Sequence, residues 1–159
     1  MKIAIGSDHR GQKTAEHIAE HLVSLGVEVK RMGACSTQAC DYPESAYQVG
    51  MAIRQGEVDA GILICGTGIG MSMAANKMHG IRAAVVHDEL TSQLSRTHND
   101  ANVLCLSADL LGERLIEKIV DVWIKSDFEG GRHARRVAKM AMIEQGHDPA
   151  DAPATPDSA

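Results

Sequence analysis

A glycine-rich stretch, Cys65-Gly66-Thr67-Gly68-Ile69-Gly70-Met71-Ser72, carries the strongest chemical signal in this sequence. Its glycines leave no Cβ in the way, so backbone N–H groups can converge on an anion. A predicted helix starts directly after the stretch and adds the positive end of its dipole. Cys65 stands beside that field, which would favour a reactive thiolate. A tight turn with a buried structural cysteine would give the same pattern.

Three better-known glycine-rich or cysteine motifs do not fit this stretch. A dinucleotide fingerprint, G-x-G-x-x-G, needs a third glycine where this chain has Met71. A phosphate-binding P-loop needs a Gly-Lys-Ser/Thr ending, which is absent. The C-x5-R loop of cysteine-dependent phosphatases needs an arginine, again at Met71. The stretch therefore predicts an anion-binding turn of another kind.

Three further polar clusters could carry chemistry. His98 lies in a polar segment between the predicted fourth helix and fifth strand, which we expect to enter the top of the sheet, where loops commonly carry function. Asp8 and His9 follow the first predicted strand, and Arg132 and Arg136 stand four apart and would share a helix face suited to a phosphate dianion. The plainer interpretations are a residue at a helix C-terminus, a helix cap and a solvated basic helix start.

Alternating strand and helix patterns must position these residues. Gly61–Cys65 is a continuous apolar run, which is typical of a strand buried on both faces. The other predicted strands are Ile3–Gly6, Val27–Val29, Ile81–Val86 and Asn102–Leu106. The predicted helices run through His17–Leu25, Ser45–Gln55, from the glycine-rich stretch to Lys77, and through Leu90–Thr97, Leu111–Lys125 and Arg132–Gln145.

This order predicts an α/β fold: a single-domain, three-layer α/β/α, Rossmann-like doubly wound five-stranded parallel sheet. Ligands of such folds bind outside the carboxyl ends of the strands. The domain should cover residues 1–146. Residues 147–159 are rich in Pro, Asp and Ala and are predicted to form a disordered tail.

Composition limits the function classes. The chain has 159 residues, of which 44% are hydrophobic, and a net charge of −5, which argues against bulk nucleic-acid binding. No apolar run approaches the roughly 20 residues of a transmembrane helix, and the N-terminus does not resemble a signal peptide. We therefore expect a cytoplasmic protein without nucleic-acid or membrane partners. Its four cysteines should be reduced, since Cys35 and Cys40 alone are a weak signal for a disulfide or a metal site.

Together these motifs resemble the family of B-type ribose-5-phosphate isomerases, which also holds galactose-6-phosphate isomerase subunits. The resemblance covers residues 2 to about 145. It rests on Asp8-His9, Asp41-Tyr42-Pro43, the glycine-rich stretch, Ala74-Ala75-Asn76-Lys77, His98–Leu104 and Glu129–His133 with Arg136.

The resemblance implies an aldose–ketose isomerase that needs neither metal nor cofactor. Cys65 would move the proton between C1 and C2, His98 would assist ring opening, and Thr67 would help proton transfer at the oxygens. The enediolate would be held by the loop residues Gly66, Gly68, Ile69, Gly70 and Ser72. The phosphate would be bound by His9, Arg132 and Arg136. The sugar hydroxyls would be contacted by Asp8, Tyr42 and Asn99. The family also implies a homodimer or homotetramer whose active site is shared between subunits, with the arginines donated by the neighbour.

One residue departs from the family pattern. The family usually has a phosphate-binding arginine where this chain has Asp109. Arg82, Arg114 or another cation would have to compensate for this carboxylate, or the substrate lies differently. The substrate could then be a tetrose or hexose phosphate instead of ribose 5-phosphate, and a non-catalytic sugar-phosphate sensor is the alternative from another class.

Overall fold

Five parallel strands form one sheet in the computed structural model, which describes residues 1–33 and 40–152. The strands are β1 (Lys2–Ser7), β2 (Glu28–Met32), β3 (Ala60–Cys65), β4 (Ala83–Val85) and β5 (Val103–Ser107), in the order β2-β1-β3-β5-β4. All four strand pairs are parallel, so every carboxyl end lies at one edge of the sheet and every amino end at the other.

Helices cover both faces of this sheet and connect its strands. They are α1 (Gln12–Ser24), α2 (Tyr42–Arg54), α3 (Ile69–Ala75), α4 (Glu89–Thr97), α5 (Glu113–Lys125) and α6 (Arg132–Glu144). Side chains of α1 and α5 pack on one face, and those of α2 and α3 pack on the other. The three-layer, doubly wound fold predicted from the sequence is confirmed.

The central strand β3 is buried along its whole length. Ile62 and Ile64 belong to the core under α1 and α5, whereas Leu63 and Cys65 belong to the core under α2 and α3. This two-sided burial explains why the strand reads as a continuous apolar run rather than an alternating pattern. It also fixes the glycine-rich stretch at the centre of the carboxyl edge.

Helix α4 packs against α5, and α6 lies beside the amino end of the edge strand β4. The backbone N–H of Glu129, just before α6, donates to the Thr97 carbonyl at 3.0 Å. At the other end of α6, Glu144 accepts from the Gly80 N–H at 2.7 Å. A short 3-10 helix, Pro149–Asp151, follows within the segment predicted as a tail. Residues 153–159 lie outside the described residues. None of the described helices combines the length and apolar character of a membrane span.

Candidate active site

The glycine-rich loop joins β3 to α3 at the carboxyl edge. Gly68 immediately precedes α3 and has left-handed backbone angles, with φ of 77°. This turn directs the Gly68 N–H at the Cys65 Sγ, 3.1 Å away. Such a donor stabilises negative charge on the sulfur, which is the form in which a thiol acts as a base.

Two glycines of this loop are required by their surroundings. A Cβ at Gly68 would approach the Leu106 backbone to 3.1 Å in addition to its unfavourable φ. A Cβ at Gly70 would come within 2.7 Å of the Tyr42 ring, so that ring lies directly against the loop. The glycines therefore permit the close approach of β5 below and of Tyr42 beside the loop.

Thr67 and Ser72 have different environments. The Thr67 side chain is exposed, and its Oγ1 accepts from the Ile69 N–H at 3.3 Å. Ser72 is buried, and its hydroxyl donates to the Ala83 carbonyl at 3.2 Å. Thr67 is therefore open to a ligand above the loop, whereas the Ser72 side chain holds α3 to β4.

Asp8 and His9 follow β1 at the same edge. One carboxylate oxygen of Asp8 accepts from the backbone N–H groups of Arg10 and Gly11, both at 2.9 Å. The Asp8 side chain thus stabilises the turn before α1 and does not cap the helix, because the N-cap of α1 is Gly11 and receives no side-chain hydrogen bond. The helix-cap interpretation of Asp8 is therefore wrong. The His9 ring is exposed, and its Nδ1 lies 3.3 Å from the Cys40 carbonyl oxygen.

Asp109 also lies at this edge, where it pairs with Arg10. The Arg10 Nε donates to the Asp109 Oδ2 at 2.9 Å, and Nη2 approaches the same oxygen at 2.8 Å. Arg82 instead binds Asp100, whose Oδ2 lies 2.8 Å from Arg82 Nη2. The cation that pairs with Asp109 is thus Arg10, and neither Arg82 nor Arg114 is the one that does so.

The remaining predicted site residues lie at the opposite edge of the sheet. Helix α4 starts beyond the carboxyl end of β4 and runs back, so His98 and Asn99 follow it at the amino edge. This position is fixed by Asn102, whose backbone carbonyl accepts from Gly61 at the start of β3. Strand β3, at roughly 3.3 Å per residue, separates the two edges by about 17 Å. His98 therefore does not belong to the loops around Cys65 within one chain.

Arg132 and Arg136 share this amino edge with His98, because α6 begins beside Thr97. The predicted site is consequently divided into two groups. The carboxyl-edge group comprises Asp8, His9, Tyr42, Cys65, Gly66, Thr67, Gly68, Ile69, Gly70 and Ser72. The amino-edge group comprises His98, Asn99, Arg132 and Arg136.

Two residues that sequence reasoning missed lie beside the amino-edge group. His133 is buried and stacks on His98, with ring centroids 4.0 Å apart and an interplanar angle of 8°. Glu129 Oε2 lies 3.8 Å from the Nε2 of each ring. The sequence signal was available, because His133 follows Arg132 within the motif already singled out, but only the arginines suggested phosphate chemistry.

His98, Glu129 and His133 offer three ligand atoms within 4.8 Å of one another, the spacing of a metal site. A metal ion bound by imidazole lies in the plane of the ring. Two nearly parallel rings stacked 4.0 Å apart have no such point in common. The rings would have to separate before both could bind one ion, so this geometry suits ring stacking better than metal binding.

The cysteines differ in environment. Cys65 and Cys105 are buried free thiols, whereas Cys40 is disulfide-bonded, so the expectation of reduced cysteines is wrong at Cys40. Position 35 lies outside the described residues. Burial, reinforced by the neighbouring Cys65, raises the pKa of the Cys105 thiol. Cys105 is therefore an inert core residue beside the candidate base.

Comparison with known proteins adds to this geometry. A family model described as Ribose/Galactose Isomerase matches residues 3–140. Ribose-5-phosphate isomerase B of Escherichia coli (strain K12) is 51% identical over 144 residues, covering 91% of this chain and 97% of that protein. D-erythrulose-4-phosphate isomerase of Pectobacterium atrosepticum is 39% identical over 145 residues, covering 91% and 95%.

A solved structure agrees with these sequence matches. Ribose-5-phosphate isomerase B of Clostridium thermocellum superimposes with a TM-score of 0.90 at 48% identity, covering 92% of this chain and 99% of the other. The fold, and not only the motifs, is therefore shared along nearly the whole length of these relatives.

Proposed function

The chain belongs to the ribose/galactose isomerase family and is a sugar-phosphate isomerase, and from this premise we propose that it interconverts ribose 5-phosphate and ribulose 5-phosphate. The reaction would pass through an enediolate and use no metal. The observation that carries this proposal is the contact between the Gly68 N–H and the Cys65 Sγ at the carboxyl edge. It places a backbone N–H donor against the sulfur of the proposed base, at the start of the glycine-rich loop.

Cys65 is the proposed base. Its thiolate takes the proton from C2 of the open-chain aldose, the electron pair forms the C1–C2 double bond, and negative charge develops on O1. The same thiol then returns the proton to C1 and yields the ketose. Thr67 assists by moving the proton between O2 and O1, while loop N–H groups stabilise the charge. A positioned base of this kind contributes on the order of 10²–10⁴-fold.

Ring opening is assigned to His98, with Asp8, Tyr42 and Asn99 at the sugar hydroxyls and His9, Arg132 and Arg136 at the phosphate. Phosphate binding at a distance from the reacting carbons fixes them against the base. Since the amino-edge group lies at the edge opposite to Cys65 in its own chain, and β3 separates the two edges by about 17 Å, we propose that it reaches the substrate from a second copy. The neighbour then contributes His98 and Asn99 in addition to the arginines.

A homodimer or homotetramer would supply that second copy, and two apolar surfaces support it. Tyr47 is exposed on α2, and Met73 is exposed on α3, the helix that follows the Cys65 loop. A cavity of about 500 Å³ separates α6 from the edge strand β4, and the exposed Ile143 lines it together with Asn99. Exposed apolar clusters of this kind are typical of interaction surfaces.

A cytoplasmic location is also proposed, because a charged sugar phosphate does not cross a bilayer unaided. The partner remains a small-molecule sugar phosphate, with no nucleic acid and no membrane.

A tetrose phosphate is the second candidate substrate. It is favoured by Asp109, which departs from the family pattern, and by the similarity to a relative named D-erythrulose-4-phosphate isomerase. The carboxylate at position 109 changes the charge beside the loop, so the position of the substrate phosphate need not match that in ribose-5-phosphate isomerases.

Turnover of tetrose, pentose and hexose phosphates by the wild type beside Cys65→Ala tests the reaction. We expect interconversion of ribose 5-phosphate and ribulose 5-phosphate, and a loss of at least 10²-fold in kcat for Cys65→Ala. Cys105→Ala, which removes the neighbouring buried thiol, is the matched control and should retain activity. Better turnover of a tetrose phosphate would make it the substrate in place of ribose 5-phosphate. No turnover of any sugar phosphate would favour the non-catalytic sugar-phosphate sensor.

A mixing experiment tests the shared site. Cys65→Ala and His98→Ala are each expected to be nearly inactive. In a mixed dimer, one site receives both substitutions and the other receives neither, so equal co-expression should restore about a quarter of wild-type activity per chain. No recovery, with mixed dimers demonstrated by mass, would mean that each site is built from one chain.

A further inference from the structure

The Arg10 side chain lies across Gly66, the residue that follows Cys65. A Cβ at Gly66 would stand 3.1 Å from the Arg10 Nε and 2.7 Å from the Asp109 Oδ2. The ion pair is also tied to the loop through the backbone, since the Asp109 N–H donates to the Gly66 carbonyl at 3.1 Å. A guanidinium is thus held at the edge of the candidate active site, on the side of α1 and α5.

We propose that Arg10, oriented by Asp109, binds the phosphate group of the substrate. The inference rests on the proposed function and extends its phosphate-binding set. It assigns to Asp109 the role of a positioning residue, which acts on the substrate only through Arg10.

The geometry leaves Arg10 able to bind an anion. A guanidinium has five N–H donors; the one on Nε donates to Asp109, and Nη2 lies 2.8 Å from the same oxygen, so at least three donors remain. The Arg10 side chain is 57% exposed, so the unused donors face open space beside the loop. Planar paired donors of this kind match phosphate oxygens better than a lysine ammonium does.

Because the two residues are paired, removing Arg10 and removing the charge of Asp109 should change phosphate binding by different amounts. With Arg10 removed, Asp109 would remain as an unpaired carboxylate close to the bound phosphate and would repel it. With only the Asp109 charge removed, Arg10 would keep its charge and lose its anchor. An ordinary surface ion pair contributes little to stability, and its loss would not weaken phosphate binding in either variant.

Steady-state kinetics with ribose 5-phosphate and with a tetrose 4-phosphate, together with inhibition by inorganic phosphate, tests the inference. We expect Arg10→Ala to raise KM and the inhibition constant of phosphate by about tenfold or more, with a smaller effect on kcat. Arg10→Lys and Asp109→Asn should each give a smaller rise. The double variant Arg10→Ala/Asp109→Ala should have a lower KM and a lower inhibition constant of phosphate than Arg10→Ala alone, because the repelling carboxylate is gone.

Lys30→Ala is the matched control, since Lys30 forms an exposed ion pair with Glu57 away from the site. Its KM and inhibition constant should equal those of the wild type. The inference is overturned if Arg10→Ala leaves both constants unchanged in an active enzyme, or if it lowers kcat alone. An inactive wild type would instead refute the proposed function, so the two failures are distinguishable.

Discussion

The His98 and His133 rings stack almost parallel, with their centroids 4.0 Å apart. His98 is partly exposed at the amino edge, whereas His133 is buried in the first turn of α6. The buried ring thus provides a fixed surface for the ring that is assigned to ring opening. This contact links α6 to the His98 loop and, with it, to Arg132 and Arg136.

Replacing His133 should therefore lower turnover through the position of His98. His133→Ala removes the stacking surface, and we expect kcat to fall about tenfold or more, a part of what a positioned acid or base contributes. His133→Phe keeps an aromatic surface and should retain more activity. Equal activity of both variants and the wild type, measured with the same sugar phosphate, would show that the stacking has no role in turnover.

The protonation of His133 should limit stability in acid. Its burial, together with the neighbouring charges of His98, Arg132 and Arg136, lowers the pKa of His133 below its ordinary value of 6.5, although Glu129 acts in the opposite direction. A depressed pKa means that the full stabilisation is present above about pH 6.5 and is lost as pH falls through the folded-state pKa.

Denaturant unfolding between pH 7.5 and 5 checks this expectation, with NMR titration of the histidine ring signals beside it. The free energy of unfolding should fall with pH in the wild type and fall less in His133→Phe, which cannot be protonated. A His133 signal that titrates at or above 6.5 would contradict the argument.

The turn at Gly68 should resist substitution more than the left-handed turn at Gly26. Gly68→Ala pays for positive φ, about 1–2 kcal/mol, and in addition forces a contact with the Leu106 backbone. Gly26 has a similar φ of 80° with nothing within 4 Å of its would-be Cβ, so Gly26→Ala is the matched control. Urea unfolding should rank Gly68→Ala as less stable, and only Gly68→Ala should lower kcat. Equal values for both would assign the cost to φ alone.

The layered fold could be predicted because each local pattern agreed with it. Gly61–Cys65 reads as a two-sided strand, and the strand before the glycine-rich stretch fixes Cys65 at the carboxyl edge. The edge on which His98 lies also follows from topology, since a loop from a helix back to a parallel strand must return to the amino ends. His98 was singled out because of its residue type and its polar neighbours, without working out on which edge of the sheet its loop lies.

Contacts between distant parts of the chain could not be predicted in this way. Arg10 and Asp109 are 99 positions apart, and their pairing depends on the directions of two side chains above Gly66. The stacking of His133 on His98 likewise depends on how α6 lies beside the sheet. Neither contact leaves a periodic or spaced pattern in the sequence.

The contact between Tyr42 and Gly70 gives a final prediction. Tyr42 is half exposed at the start of α2, and its ring carbons would lie 2.7–3.1 Å from a Cβ at Gly70. Gly70→Ala must displace the ring, so any hydroxyl contact that Tyr42 makes with the sugar would be lost. Tyr42→Phe removes the hydroxyl alone and should raise KM by about 2- to 10-fold, the effect of one hydrogen bond.

Steady-state kinetics of Gly70→Ala, Tyr42→Phe and the combined Gly70→Ala/Tyr42→Phe variant separate the two effects. If Gly70→Ala acts by moving the hydroxyl away, the combined variant should be no worse in KM than Gly70→Ala alone. Additive losses would mean that the alanine disturbs the glycine-rich loop itself. An unchanged KM in Tyr42→Phe would remove Tyr42 from the residues that bind the sugar, and its ring would then serve only to pack against the loop.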